Sequence, residues 1–452
     1  MQPLHYARAG AHRDPPRSCV MRRMSRHLID IRPLTTSPPF ARMWIGSTLA
    51  GLGGQLTIVA VMLHVYELTQ DTFAVAMVAV AGLVPMMFAG LYGGMLADAF
   101  DRRTVALAAA TVTFASTALL AVLAWTGSET VWWLYVLSIV NSSANSIVMT
   151  TRSAITPRLI PRELLPAAAA LQGVTVGIMV MAGPALAGVL VATTGYAWTY
   201  TLDVVLMTSL FLGLWTLPAL RPEGVIVRPG LASLRDGIGF LRRAPNIRLQ
   251  YILDVIAMTL GQPLTLFPAI GAVLLGGGAV TTGVLTAAVA AGAFLSSLFS
   301  GPIGRVHRHG VGIERAIQGY GAAITLFGVI LVAAQAGWFA PADPSAPNIV
   351  LITAACVALA FSGATDNVSA IYRSTMMQSA VPDAMRGRLQ GIFTVVVTGG
   401  PRLGALYAGS LATFTALWFP PLLGGLLIIA LVGVLVRLNP AFRAYDARRP
   451  TP

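Results

Sequence analysis

The chain has no lysine: all 30 of its basic residues are arginine. It has little charge of any kind, 10% of 452 residues against 56% hydrophobic, whereas a soluble globular chain carries about 25% charged residues. A water-soluble fold of this size would lack a polar surface, so the composition fits a bilayer. Arginine in place of every lysine reads as a base-composition preference rather than a binding signature. Cysteine is nearly missing too. Cys19 stands in a polar tail and Cys356 in an apolar run, which excludes a disulfide framework and a Cys-x-x-Cys metal site. The 6 histidines show no metal-ligand spacing, so no metal is expected; His307 and His309, beside Arg305 and Arg308, read as solvated loop residues.

Apolar runs fill the space that charge leaves. About 20 apolar residues in a helix cross the hydrocarbon core, and runs of that length recur at 43–66, 73–97, 105–126, 131–151, 165–192, 197–217, 249–275, 280–304, 314–338, 349–372, 387–411 and 415–437. Glycine and proline inside them (Gly51, Pro85, Gly183, Pro184, Pro263, Pro401) would argue against helix in water. In a membrane bundle they permit close contact and tolerated kinks. The arginines fall before the first run, around the cytoplasmic-side breaks after every even-numbered one, and in the central segment 218–248; Arg315, Arg388 and Arg437 stand at the very ends of runs, and only Arg402 lies deep inside one. The opposite loops carry Glu67, Asp71, Glu129 and Asp343 but no arginine. By the positive-inside rule the arginine side is cytoplasmic, which places both termini there and requires an even number of spans. Dispersal over short loops argues against nucleic acid as a partner.

The chain therefore reads as an all-α membrane protein of twelve transmembrane helices. It divides into a cytoplasmic tail (1–42), a six-helix bundle (43–217), a cytoplasmic linker (218–248), a second six-helix bundle (249–437) and a tail (438–452). In the linker, Leu231, Leu234, Ile238 and Leu241 repeat at helical spacing, as in a helix lying on the membrane face. Residues 1–30 lack the pattern of a signal peptide, and Met21 and Met24 are alternative starts to Met1. The bundles are related in sequence. Residues 152–190 and 373–411 share Arg-Ser, a loop proline (Pro161, Pro382), Leu-Gln-Gly and Gly-Pro in the same order. Duplicated bundles around a central path suit alternating access. No phosphate-binding loop or soluble nucleotide domain occurs, so ATP is excluded as a direct energy source. No cluster of acid, base and nucleophile at one depth suggests an enzyme.

The segment GGMLADAFDRRTVAL after the second run resembles the signature loop of the major facilitator superfamily, through Gly94, Leu96, Ala97, Asp98, Arg102, Arg103 and Leu107. Ala99 stands where that pattern has a basic residue. Asp101 stands where it has glycine, a feature similar to the enterobactin-exporter branch. The resemblance extends from about residue 33 to 437. It implies two pseudo-symmetric six-helix bundles and a gate in which Asp98 meets the positive N-terminal end of a neighbouring helix, with Arg102 pairing nearby and Arg103 serving topology. Gly183-Pro184-x-x-Ala187-Gly188 resembles the antiporter motif of that superfamily, which implies tight packing of the fifth span across the two halves and favours export; ordinary small-residue packing is the alternative.

Ionisable groups at bilayer depth are costly, about 2.5–3.5 kcal/mol on insertion scales, and are functional candidates by default. They are His64, Asp203, Asp254, Asp366 and Arg402. Asp254, near the Gly261-Gln262-Pro263 break, and Asp366, in SGATDNVSA, are candidates for proton coupling or for binding a polar substrate. A structural pairing with Arg402 is the alternative, and Asp203 reads as a cap at an interface. The expectation is export of a small molecule, siderophore-like or an amphiphilic drug, in exchange for protons. No cofactor is needed beyond the proton gradient, and a monomer in the inner membrane is expected. An importer of the same fold, or a non-transporting sensor or scaffold, is the other class of reading.

Overall fold

A computed structural model describes residues 31–218, 239–299, 306–339, 346–381 and 383–448, with the side chains of some helical residues, Asp98 among them, outside the description. The described residues contain helices and no strand. The N-terminal bundle comprises α1 (Pro38–Thr69), α2 (Thr72–Ala81 and Leu83–Ala99, joined at Gly82), α3 (Arg102–Thr126), α4 (Val131–Leu159), α5 (165–194) and α6 (196–215). The C-terminal bundle comprises α7 (Pro245–Leu274, broken after Leu260), α8 (Gly278–Leu298), α9 (His309–Gln335), α10 (Ile349–Ala380), α11 (Asp383–Phe414) and α12 (Phe419–Leu438). Helix α5 runs into α6 without a loop; the reversal is a kink at Gly195, whose φ of +80° only glycine adopts freely. These helices coincide with the twelve apolar runs. The linker residues Leu231, Leu234 and Ile238 lie outside the described residues.

Short polar residues start the helices where the apolar runs begin. The Ser37 hydroxyl accepts from the Phe40 N–H at 3.3 Å, Asp71 from Phe73 at 2.9 Å, Asp101 from Arg103 at 2.8 Å and Asn348 from Leu351 at 3.1 Å. Each satisfies a donor that the first turn leaves unpaired. Asp101, one of the two residues that depart from the superfamily loop pattern, is thus the N-cap of α3. Exposed Trp132, Trp198 and Trp338 ring the arginine-poor ends, as expected where helices leave the hydrocarbon.

The halves share the geometry their repeated sequence suggests. A Cβ on Gly183 of α5 would fall 2.4 Å from Cβ of Gln55 in α1, and one on Gly400 of α11 would fall 2.8 Å from Cβ of Met258 in α7. The duplicated Gly-Pro therefore makes the same close helix contact in each bundle. Between bundles, contact is tight at the arginine-poor ends. The Thr72 hydroxyl of α2 donates to the Gly409 carbonyl of α11 at 2.9 Å and lies 3.1 Å from the Thr413 hydroxyl, which donates to Asp71 at 2.9 Å. Helices α5 and α8 cross backbone on backbone, a Cβ on Gly188 falling 2.4 Å from the Ala279 carbonyl and one on Gly283 falling 2.5 Å from the Pro184 carbonyl. At the arginine-poor ends, therefore, the described residues of the two bundles are in close contact.

Candidate functional site: a buried ion-pair triad

Asp254 lies on α7, where the arginines have stopped and apolar residues surround it. Asp366 and Arg373 lie on α10, seven residues apart, which puts them on one face two turns from each other. The guanidinium of Arg373 bonds the Asp254 carboxylate and sits 3.7 Å from Asp366. Asp254 and Arg373 are 2% and 8% exposed, whereas Asp366 is 37% exposed. Oδ2 of Asp254 and Nε of Arg373 have no hydrogen-bond partner among the described residues. Two carboxylates against one guanidinium leave one negative charge in excess. A proton or a cationic group neutralises it, and the exposed, more distant Asp366 is the member either can reach.

This geometry corrects three sequence-based expectations. Arg402, the one arginine deep inside a run, does not pair with these carboxylates. Its Nε donates to the Ala79 carbonyl at 3.0 Å and its terminal nitrogen lies 3.1 Å from the Met86 sulfur, both on α2 across the bundle interface. The face of α11 that carries Arg402 also carries Gly409 and Thr413, so it looks at the other bundle. Arg373, counted with the cytoplasmic loops, is instead buried within α10, because that helix continues to Ala380. His309, read as solvated, is buried and packs its ring 5.3 Å from Tyr372.

The break in α7 occurs at Gly261 to Pro263 as its residues suggest, but it faces protein: the Tyr320 phenol donates to the freed Gly261 carbonyl at 2.5 Å. Asp203 is fully buried between α6 and α1. It accepts from the Thr57 hydroxyl at 2.6 Å, and its other oxygen lies against Gly53, where a side chain would displace it. His64 stacks on Tyr196 at 4.1 Å, with Glu129 3.5 Å from its Nε2 and the Tyr200 hydroxyl 3.3 Å from its Nδ1.

Arg102 donates to the Ala154 carbonyl of α4 at 2.8 Å, tying the start of α3 to the end of α4, while the backbone N–H of Arg103 is held by Asp101. The side chains of Gly94's neighbour Asp98 and of the α11 residues near Arg386 lie outside the described residues. Arg152, the repeat counterpart of Arg373, faces Gln172 at 3.4 Å and no described carboxylate. Among the described residues, a buried ion-pair triad of this kind occurs in the C-terminal bundle. Its signals in the sequence were the seven-residue spacing of Asp366 and Arg373 and the duplicated Arg-Ser.

Two pseudo-symmetric six-helix bundles, in close contact at their arginine-poor ends and holding a charged triad between α7 and α10, are those of a transporter of the major facilitator superfamily. Within it, residues 31–451 match the model of the family described as transmembrane secretion effector, and the chain belongs to that family. It is 29% identical over 421 residues to the enterobactin exporter EntS of Citrobacter koseri, covering 91% of this chain and 96% of that one. It is 30% identical over 413 residues to the EntS of Escherichia coli O1:K1 / APEC, covering 90% and 94%. The fold is similar to a crystal structure of the nucleoside transporter NupG, with a TM-score of 0.64 at 14% identity, covering 90% of this chain and 99% of that one. The protein is a multi-pass membrane transporter and not an enzyme.

Closure of the arginine-poor side can be tested directly. The hydroxyls of Thr72 and Thr413, 3.1 Å apart, place the two side chains within disulfide reach. In a chain with Cys19 and Cys356 replaced by Ser, Thr72→Cys with Thr413→Cys should cross-link on mild oxidation and stop transport, and reduction should restore it. Unchanged transport in the cross-linked protein would show that this contact need not open.

Proposed function

We propose that this protein exports a small molecule from the cytoplasm of a bacterial cell in exchange for protons, working as a monomer in the inner membrane with both termini inside. The observation that carries the proposal is the Asp254–Arg373–Asp366 triad. Its excess negative charge at membrane depth is a place for a proton to board and leave, and Asp366 is exposed enough to exchange it. Charge distribution supports the orientation, since lone arginines favour the cytoplasmic side of short loops. The relatives named as enterobactin exporters support a catecholate siderophore as cargo; amphiphilic compounds are the second cargo class.

In this reading the arginine-poor side is the outer gate, built from the Thr72–Gly409–Thr413 contact and the Gly188–Gly283 crossing, with Gly183 packing α5 on Gln55 of α1 and the Pro184 carbonyl against Gly283 of α8. Arg402 clamps α2 to α11 below that gate. Asp98 and Arg102 form the gate at the cytoplasmic end, with Gly94 and Arg103 completing its loop. Protonation of Asp366 removes the excess charge of the triad and leaves Arg373 to Asp254 alone, which biases the C-terminal bundle between its states; energy comes from the proton gradient, with no cofactor.

The test is siderophore release by cells lacking the native exporter and carrying this chain. Release above the empty-vector level, abolished by a proton uncoupler at unchanged ATP, is the expected result. Release that persists with the uncoupler, or net uptake, would contradict the proposal.

A further inference from the structure

At the arginine-rich end of the C-terminal bundle, α9, α10 and the short helix Pro440–Arg443 enclose an open cleft of about 1180 Å³. We propose that this cleft binds one anionic phospholipid of the adjoining leaflet, separately from any transported cargo. Buried Ile313, Ile317 and Tyr320 mark the core face of α9; by helical spacing, Arg308, Val311 and Arg315 lie on the opposite face, where the bundle meets lipid. The trough has two parts. Val311, Val368 and Tyr372 make apolar walls, and Arg308, Arg315, Arg443 and Arg448 stand at its rim.

Positive charge is in excess at the rim, where Asp446 is the one described carboxylate lining the cleft beside four arginines. Glu314 is held by Arg443 at 3.3 Å, and Asp446 accepts from the backbone N–H of Arg448 at 2.9 Å. No carboxylate among the described residues pairs with the guanidinium groups of Arg308, Arg315 or Arg448. Three exposed guanidinium groups above an apolar slot match a phosphate-bearing headgroup followed by an acyl chain, because guanidinium binds phosphate oxygens in a fork and the slot excludes water from the chain.

The cleft is also preformed. His309 packs against Tyr372 and Tyr445, whose ring lies 6.2 Å away; Tyr445 meets Ser379 at 3.1 Å, and the Ala447 N–H donates to the His307 carbonyl at 2.9 Å. Little of the lipid's binding energy is therefore consumed in ordering the protein.

Native mass spectrometry of the full-length protein, given phosphatidylglycerol and phosphatidylcholine in equal amounts, reads the site. The wild type should retain one phosphatidylglycerol in preference to phosphatidylcholine. Replacing Arg308, Arg315 and Arg448 together with Gln should weaken that retention by about two orders of magnitude, at about 1 kcal/mol per basic group. The charge-matched replacement of Arg42, Arg242 and Arg248 should leave it unchanged. Val368→Trp, which fills the trough and keeps the charge, should weaken it as well, so the idea stands on a second variant if the triple one fails to fold. Soluble glycerol 3-phosphate should not compete. Equal retention by the triple variant and the wild type, equal loss in the control, or full competition by glycerol 3-phosphate would each overturn the proposal; the last would indicate a site for soluble anions.

Discussion

Arg373→Gln is expected to abolish transport and to lower the yield and melting temperature of the purified protein. The guanidinium it removes is the shared partner of Asp254 and Asp366, and Asp254 is 2% exposed. Breaking a buried pair by removing one member costs about 3–5 kcal/mol, because the other charge is left without compensation. That is a large part of the roughly 5–15 kcal/mol that holds a folded domain together. Arg373→Lys keeps the charge but loses the planar fork, so it should fold better and transport poorly. The double replacement Asp254→Asn with Arg373→Gln removes both buried charges and should recover most of the stability without recovering transport. Thermal unfolding in detergent beside a flux assay separates the two losses. A stable and active Arg373→Gln protein would remove the triad from the account.

Asp366→Asn should show the opposite combination. Asp366 is 37% exposed and 3.7 Å from Arg373, so its pairing contributes little to stability, and the tighter Asp254–Arg373 pair survives its loss. Melting temperature should change by only a few degrees. Accumulation against a gradient should fall to that of the empty membrane, because the substitution removes the excess charge that a proton would neutralise. Exchange of labelled substrate across the membrane without a gradient should persist. Uphill transport at the wild-type rate would mean that the coupling proton boards elsewhere.

The helix pattern was legible because bilayer thickness sets a length that apolar runs either meet or miss. The arginine loops and the Gly-Pro repeat then fixed the pairing of halves, and Gly183 and Gly400 make the same approach in each. The triad was only half legible. Both aspartates stand out as charges in apolar runs, but their partner was hidden among loop arginines. Span length is a minimum, and nothing in hydropathy reveals that α10 runs on to Ala380 and draws Arg373 inside. Arg402 misled for a different reason. Depth can be read from sequence, but the direction a helix face takes depends on packing, and α11 turns this residue toward α2 rather than α7. Asp101 was visible as a departure from the loop pattern; its reason, capping α3, appears only with the backbone hydrogen bonds in place.

Proton movement measured with a pH-sensitive dye trapped in proteoliposomes tests the central claim most directly. Adding substrate to vesicles of wild-type protein should drive protons in the direction opposite to the substrate. Asp366→Asn vesicles should bind the same substrate and move none. Equal proton movement in the two, or substrate flux without any proton movement in the wild type, would contradict the account.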